Sequence, residues 1–323
     1  MNLLITSIGK RVELITHLKK GFRVIGCDAS DVNAARHFTD SFYRIPRCSE
    51  PDYIDALLKI CEKEKINAII PLYEAEFPIL NEARAKFEAL SVHLILSDAN
   101  VISVCKDKYK TAEFFKKHEI PAPITYQPGD ITKFLSSDDP SIYPLIIKPL
   151  DGMGSANVFK VNHQKELSFF TDYVEKPIVQ SMATGTEYTI DALCDEYGTP
   201  VYVVPRIRLE VRSGEVVKSK TVKEPVIIEE TLRLLGALNS EGRVIGPMTI
   251  QCFLSDTGEI SFIEINSRFG GGVPLSFAAG ADYASALSDM INGRIFAKRK
   301  PIDYLNDYEE LTMLRYDSSV FES

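Results

Sequence analysis

The first 97 residues alternate short apolar runs with amphipathic stretches. The apolar runs are NLLIT (2–6), FRVIGCD (22–28), NAIIPL (67–72) and VHLILS (92–97). The stretches between them are RVELITHLKK (11–20), YIDALLKICEKEK (53–65) and EFPILNEARAKFEAL (76–90). Strand-like runs that alternate with helical periodicity are typical of repeated βαβ units. This part of the chain is therefore predicted to form a Rossmann-like α/β domain with a parallel sheet.

The next part of the chain predicts a helix followed by a β-hairpin. Residues 107–118 have helical periodicity, and Pro121 and Pro123 end that helix. The apolar run YPLIIKP (143–149) is followed by the loop DGMGS and then by ANVFKV (156–161). Because two strand-like runs flank a short glycine-containing loop, we expect them to pair as a hairpin.

Strands dominate the chain after residue 177. They are PIVQSM, EYTIDALC, VYVVPRIRLEV, EVVKSKTV, GPMTIQCFL and ISFIEIN. Helices are predicted at 164–174, 226–238 and 282–293, the last ending at Gly293. Consecutive strands favour an antiparallel sheet, so the expected class of this part is α+β.

Composition and charge limit the classes of partner and the cellular compartment that we expect for this chain. With 323 residues, 45% of them apolar, the chain can form two or three domains. The net charge is −8 and no run of Lys or Arg forms a basic stripe, which argues against a nucleic-acid partner. No apolar segment approaches 18 residues, so no membrane partner is expected. The six cysteines form no CxxC pair and no signal-peptide pattern is present, so we expect free thiols in a cytoplasmic protein.

The segment FIEINSRFGGG (262–272) predicts a metal site. Alternation along a strand points Glu264 and Asn266 to the same face. A two- or four-residue turn after MTIQCFL would place Gln251 on that face as well, whereas an odd turn would not. Carboxylate and amide oxygens suit Mg²⁺, with Mn²⁺ as an alternative. Arg268 would then lie beside the metal and meet phosphate or substrate oxygens. The other interpretation is a strand with a polar outer face, but the apolar content of both strands favours the metal site.

Lys148 and the loop after it predict a phosphate-covering lid. Lys148 ends an apolar run, and Gly152, Gly154 and Ser155 supply backbone freedom, exposed N–H groups and a hydroxyl. The loop is not a Walker A motif, because GK[ST] and a following helix are missing. Taken alone, the segment also fits an ordinary β-hairpin.

Two further segments are candidates for nucleotide and substrate contacts. At the end of a strand, Gln180, Ser181 and Met182 could face an adenine ring, and Glu187 could bind ribose hydroxyls or support the metal. Arg206 starts a basic stretch (205–220) that could clamp a substrate anion or the γ-phosphate. Alternation places Arg206 and Arg208 on one face of their strand. The alternative for this stretch is a solvated cationic face.

In this order, these motifs resemble the ATP-grasp superfamily, especially its carbamoyl-phosphate synthase large-subunit-like branch. The resemblance implies a pre-ATP-grasp domain (1–103), an ATP-grasp domain (104–297) with a lid at about 120–178, and a C-terminal tail (298–323). It assigns Lys108, in CKDKYKTAEFFKKHEIPAP, and Lys148 to the nucleotide phosphates. The other matching positions are the phosphate loop, Gln180 near adenine where many members have Glu, Glu187 near ribose, the metal ligands Gln251, Glu264 and Asn266, and the following Arg268.

The resemblance implies an ATP- and Mg²⁺-dependent carboxylate–amine ligase that works through an acyl phosphate and releases ADP and phosphate. Its partners would be a small-molecule carboxylate and an amine, and a homodimer stays open. One alternative is a carbamoyl-phosphate-synthase-like subunit that acts on bicarbonate or carbamate with a partner. The other alternative is a regulatory protein that binds ATP without turnover.

Overall fold

A computed structural model describes residues 1–137, 139–150, 157–212 and 214–322. Its first part is a five-stranded parallel sheet with the order β3-β2-β1-β4-β5. The strands are β1 (Asn2–Thr6), β2 (Arg23–Asp28), β3 (Ser41–Arg44), β4 (Ala68–Pro71) and β5 (His93–Leu94). Helices α1 (Val12–Leu18), α2 (Tyr53–Glu64), α3 (Phe77–Glu82) and α4 (Arg84–Glu88) connect them. The predicted parallel α/β domain is confirmed.

The middle of the chain forms a small antiparallel sheet with its own core. Helices α5 (Ala99–Lys106) and α6 (Lys108–Lys117) lead into it, and the Asp107 side chain caps α6 by accepting from two backbone N–H groups. The strands are β6 (Thr125–Tyr126), β7 (Leu145–Pro149), β8 (Phe159–Val161) and β9 (Pro177–Ser181), in the order β6-β9-β7-β8. Helices α7 (Pro128–Ser136) and α8 (Gln164–Tyr173) pack on this sheet. The predicted β7–β8 hairpin is present.

The last part is a six-stranded antiparallel sheet with the order β14-β13-β10-β11-β12-β15. Its strands are β10 (Thr186–Cys194), β11 (Pro200–Arg212), β12 (Glu215–Thr221), β13 (Gly246–Leu254), β14 (Ile260–Asn266) and β15 (Thr312–Leu314). The helices are α9 (Pro225–Glu241), α10 (Pro274–Ala278), α11 (Tyr283–Ile291) and α12 (Pro301–Tyr304). The expected C-terminal tail thus contributes α12 and an edge strand. The domain boundaries given above stay predictions.

Alternation divides the six-stranded sheet into an apolar and a polar face. Ile190, Ile250 and Phe262 are fully buried in a core that includes α9 side chains such as Leu234 and Leu238. The neighbouring residues along the same strands point to the other face and carry most of the candidate functional groups. The apolar face thus fixes the register of the polar one.

A shared core joins the first sheet to the rest of the molecule. Leu14 and Leu18 of α1 pack in one cluster with Phe269 and with Tyr283 and Leu287 of α11. The carboxyl ends of β1 and β4 therefore lie beside the loop that follows β14. In open α/β sheets this edge is where ligands bind. Within the described parts of the chain, no helix is long and apolar enough to cross a membrane.

Candidate active site

The β13–β14 hairpin brings the three predicted metal ligands together. Gln251 lies opposite Glu264, and the Asn266 Nδ2 donates a hydrogen bond to Glu264 Oε1 (3.1 Å). The turn has an odd length, with five residues between the paired Leu254 and Ile260, which by alternation alone would keep Gln251 from that face. An extra residue at Ile263 bulges out of the pairing and restores the register. Such bulges re-aim side chains next to active sites.

Arg268 links this hairpin to the first sheet. Its Nε donates to Glu74 Oε1 at 2.9 Å, and Glu74 lies just beyond the carboxyl end of β4. A cavity of about 410 Å³ lies between the carboxyl end of β4, the small sheet and β14. We call it the phosphate cavity after the predicted role of its lysines. The charged and amide side chains that line it are Glu74, Lys106, Lys108, Lys148, Gln180, Glu264, Asn266 and Arg268. Six of the predicted site residues therefore line one cavity: Lys108, Lys148, Gln180, Glu264, Asn266 and Arg268.

Two lysines line the phosphate cavity from the side of the small sheet. Lys108 is the first residue of α6, and its Nζ donates to the Leu150 carbonyl oxygen (2.7 Å). Burial lowers the pKa of Lys148 to about 8, an effect that the Glu264 carboxylate opposes and the Lys108 charge reinforces. Because this ammonium is poorly hydrated, an anion that enters the cavity gains a strong electrostatic interaction.

A second cavity of about 280 Å³ adjoins the first and shares Lys108, Lys148 and Glu264 with it. Its lining is largely apolar and includes Ile146, Pro149, Val158, Met182, Phe253 and Ile263. Small-molecule sites typically combine such apolar walls with few polar groups. This apolar cavity lies where the sequence predicted the base and sugar of a nucleotide, because Gln180, Ser181, Met182 and Glu187 line it.

The strand β9 forms one wall of the apolar cavity, through Gln180, Ser181 and Met182. The Gln180 side chain donates a hydrogen bond to Thr125 Oγ1 (2.7 Å). The backbone N–H of Ser181 donates to the Ile124 carbonyl oxygen (2.9 Å). These groups are therefore already engaged in the small sheet. Met182 is the first residue after β9 and therefore lies at the strand end, where it also lines the apolar cavity.

Comparison with known proteins assigns the fold to a family. Residues 105–272 match the ATP-grasp domain, and residues 3–95 match the PylC-like N-terminal domain. The chain belongs to the ATP-grasp family. ATP-grasp proteins are ligases that bind ATP together with Mg²⁺.

Curated ATP-grasp relatives are distant, and each matches this chain over only part of its own length. The carbamoyl phosphate synthase large chain of Campylobacter jejuni is 24% identical over 84% of this chain and 25% of its own length. The D-alanine–D-alanine ligase of Fusobacterium nucleatum is 28% identical over 52% of this chain and 58% of its own length. The chain thus spans about a quarter of the first relative's length and just over half of the second's.

The solved structures show the same ATP-grasp fold. A biotin carboxylase from Campylobacter jejuni, solved as a β,γ-ATP complex, superposes with a TM-score of 0.71. It covers 92% of this chain and 72% of its own chain at 15% sequence identity. At that identity the likeness establishes the fold alone.

Arg208, which the sequence placed on the same strand face as Arg206 without a separate role, contacts residues of the candidate site. Its side chain is nearly buried, and its Nη1 lies 3.0 Å from Glu187 Oε1 and donates to Gln251 Oε1 (3.2 Å). Its Nε is buried without a hydrogen-bond partner among the described residues. Arg208 therefore ties Glu187, which also lines the apolar cavity, to the predicted metal ligands.

Arg206 does not reach the cleft, which corrects its predicted catalytic role. Its Nε donates to Asp191 Oδ2 (2.8 Å), both side chains are 3% exposed or less, and Ser276 Oγ also donates to Asp191. A Cβ at Gly272 would lie 2.5 Å from the guanidinium carbon of Arg206. Because Arg206 is enclosed with its own counterion, we assign it a structural role.

The remaining predicted residues, Gly152, Gly154 and Ser155, lie outside the described residues. The prediction that they cover the phosphates therefore stays a prediction.

The donor set fits Mg²⁺ only if the nucleotide contributes ligands. Among residues 1–137, 139–150, 157–212 and 214–322, no three His, Cys, Asp or Glu side chains converge on a metal position. Glu264 is the one carboxylate of the predicted set, and the Gln251 oxygen already accepts from Arg208. Mg²⁺ commonly binds through one or two carboxylates plus phosphate oxygens. Glu264, with the amide oxygens of Asn266 and Gln251, matches that mode.

Sequence reasoning also missed two residues that line the phosphate cavity, Glu74 and Lys106. Glu74 had a usable signal, because it follows the apolar run NAIIPL at the carboxyl end of a parallel strand. Lys106 had none, since it is one of several lysines in a polar helix–helix junction.

Proposed function

We propose that this protein is an ATP- and Mg²⁺-dependent carboxylate–amine ligase that proceeds through an acyl phosphate and releases ADP and phosphate. The supporting observation is the phosphate cavity, where Lys108, Lys148 and Arg268 face Glu264 and Asn266. Phosphoryl transfer needs positioning and charge neutralisation more than a covalent nucleophile. The cavity supplies cations and metal-ligand oxygens in that arrangement.

The proposed reaction has two steps. A carboxylate oxygen attacks the γ-phosphorus of ATP, the bond to the leaving oxygen breaks, and ADP and an acyl phosphate result. An amine nitrogen then attacks the acyl carbon, loses a proton, and expels phosphate to leave an amide. Lys108 and Lys148 hold the phosphates, and Arg268 orients the reacting oxygens.

Glu264 and Asn266 would hold Mg²⁺, which neutralises phosphate charge when bound. Glu74 accepts a hydrogen bond from Arg268 Nε and so fixes this side chain, whose Nη groups can donate to phosphate or substrate oxygens. Arg208 keeps Gln251 and Glu187 in place on the same sheet face. The residues of this chain thus bind, orient and neutralise, and no side chain needs to be acylated.

The choice of a carboxylate–amine ligase is supported by the similarity to D-alanine–D-alanine ligase, whose name describes the joining of two amino acids. The test is ADP release from ATP and Mg²⁺ with mixed carboxylates and amines, followed by deconvolution of the active pair. We expect release to require both an acid and an amine. ADP release that needs neither of them would refute the proposal.

A second candidate is a subunit that phosphorylates bicarbonate or carbamate with a partner. It is supported by the similarity to carbamoyl phosphate synthase, which extends over 84% of this chain. Bicarbonate-dependent ADP release without any organic acid would favour it. Tight ATP binding with no turnover under any of these conditions would favour a regulatory nucleotide-binding protein.

A further inference from the structure

A group of arginines lies beyond the phosphate cavity, around the glycine loop 270–272. Arg11 follows β1 at the carboxyl edge of the first sheet, and its Nη2 lies 3.5 Å from the Phe269 carbonyl oxygen. A Cβ at Gly271 would stand 3.6 Å from Arg11 Nη1. Arg315, from the C-terminal segment, donates to the Gly271 carbonyl oxygen (2.8 Å). The loop is therefore bordered by two guanidinium groups.

Nearby carboxylates are paired with other cations. Glu74 pairs with Arg268 at 2.9 Å, and Glu13 pairs with Arg315 at 3.2 Å. Glu215, whose charge also acts on Arg11, pairs with Lys10 at 2.8 Å. Within the described residues, no carboxylate lies within 4.0 Å of the Arg11 guanidinium. Among the residues that the structure describes, this half-buried cation therefore has no ion-pair partner of its own.

The surroundings of Arg11 favour an anion. Burial, followed by the positive charges of Arg268 and Arg315, lowers the pKa of Arg11. A desolvated guanidinium is costly unless it is paired, and its planar fork matches a carboxylate with two parallel hydrogen bonds. Arg11 lines neither of the two cavities, which places it outside the part of the cleft that is assigned to the nucleotide. The group that it can meet is the part of a substrate that extends past Arg268.

We propose that Arg11 binds a non-reacting carboxylate of a substrate, in a subsite bordered by the glycine loop that Arg315 anchors. The subsite rests on the ligase function proposed above, because Arg268 must hold the reacting end of the same complex. The carboxylate could belong to the acid, which would then be a dicarboxylate, or to the amine, which would then be an amino acid. Arg315 acts as a positioning residue for the loop.

The probes are matched pairs that differ by one carboxylate, added to the protein with MgADP bound. The acid arm compares the dicarboxylates malonate to adipate with their monoamides, and the amine arm compares L- and D-alanine with ethylamine. Thermal unfolding reports binding without turnover. We expect a larger rise in Tm with the carboxylate-bearing member in one arm, and that arm identifies the source of the carboxylate.

Arg11→Gln should weaken binding of the preferred probe at least tenfold and change ADP affinity less than twofold. In turnover it should raise KM with little change in kcat, the pattern of lost substrate binding. Arg212→Gln is the matched control, because Arg212 is 77% exposed in its side chain and lies on the far end of β11. Arg11→Lys, which keeps the charge but loses the planar guanidinium fork, provides a second variant should Arg11→Gln fail to fold.

Equal Tm shifts within every pair, or a carboxylate-dependent shift that survives Arg11→Gln, would overturn the subsite. Failure of the ligase proposal has a different signature. Carboxylate-dependent binding that requires Arg11, without acid- and amine-dependent ADP release, would retain the subsite and contradict the ligase. ADP release with no preference within any pair would do the reverse.

Discussion

Two ends of the polar face of the six-stranded sheet differ in what covers them. At one end, Arg206 is enclosed with Asp191 beneath Gly272 and Ser276. At the other end, Arg208 lies two residues further along the same strand and meets groups that line the cleft. Both arginines follow from one alternation pattern. Strand periodicity therefore determines the face of the sheet on which a side chain lies. The residues that pack over that side chain determine whether its role is structural or functional.

The largest expected effect is at the enclosed end. Arg206→Met leaves Asp191 buried without its counterion, and we expect a loss of about 3–5 kcal/mol in the free energy of unfolding. Urea denaturation monitors the change. Arg212→Met, at the exposed end of the same strand, should cost less than about 0.5 kcal/mol. Similar small losses for both variants would mean that the buried pair is not structural.

A substitution at the other end of the polar face, where Glu264 lines both cavities, should change activity rather than stability. Glu264→Gln keeps the side-chain shape but removes the charge that would hold Mg²⁺. We expect ADP release to fall about 10²–10³-fold, as is common when a charge-stabilising group is lost. Urea midpoints should stay close to wild type. Wild-type turnover in the folded variant would remove Glu264 from the site.

Nucleotide binding should separate the cleft lysine from a surface lysine. Lys148→Ala removes an ammonium from the proposed phosphate site, so we expect ATP to bind about ten- to a hundredfold more weakly. Lys218→Ala is the control, because Lys218 is 54% exposed and pairs with Glu210. Titration of ATP into both variants measures the difference. Equal effects would place the phosphates elsewhere.

The smallest expected effect is a pH dependence of stability that arises at His17. This residue packs on α10, the helix whose Ser276 contacts the buried Asp191. The His17 ring stacks on Phe277 of α10, and its Nε2 accepts from the Ala284 N–H, so it must be neutral there. Burial, helped by Lys20, lowers the pKa of His17 from 6.5 to about 4. The unfolded chain therefore takes up this proton at higher pH than the folded protein, and stability falls as the pH drops from about 6.5 towards 4.

Between pH 7.5 and pH 5, this group should account for about 2 kcal/mol of lost stability. His17→Gln should lose that part of the pH dependence while keeping a hydrogen-bond acceptor. Unfolding free energies of both proteins at the two pH values give the comparison. An unchanged pH dependence in the variant would show that His17 does not sense pH.

The grouping of Gln251, Glu264 and Asn266 was predictable, but for an incomplete reason, and their role as metal ligands stays a prediction. Alternation gave Glu264 and Asn266 one face, and an even turn was expected to bring Gln251 to them. The turn is odd, and the bulge at Ile263 restores the pairing. A bulge depends on neighbouring strands and packing, which alternation alone does not encode.

The parts of the site that escaped prediction depend on contacts between distant segments. Arg268 meets Glu74 across 194 positions of sequence, and Arg11 meets the loop at Phe269 across 258. Arg268 was predicted from its own segment, but its pairing with Glu74 was not, and Arg11 looks like an ordinary surface charge in its local sequence. The parallel sheet, by contrast, was predictable because buried strands and amphipathic helices carry their own periodicities.

The most direct test of the proposed chemistry is to trap the intermediate. With ATP, Mg²⁺ and the correct acid but no amine, added hydroxylamine should capture the acyl phosphate as a hydroxamate. Because an adenylating enzyme would also give a hydroxamate, the nucleotide product must be measured in the same reaction. We predict ADP and phosphate in step with the hydroxamate. AMP and pyrophosphate, or a hydroxamate formed without nucleotide cleavage, would contradict an acyl-phosphate ligase.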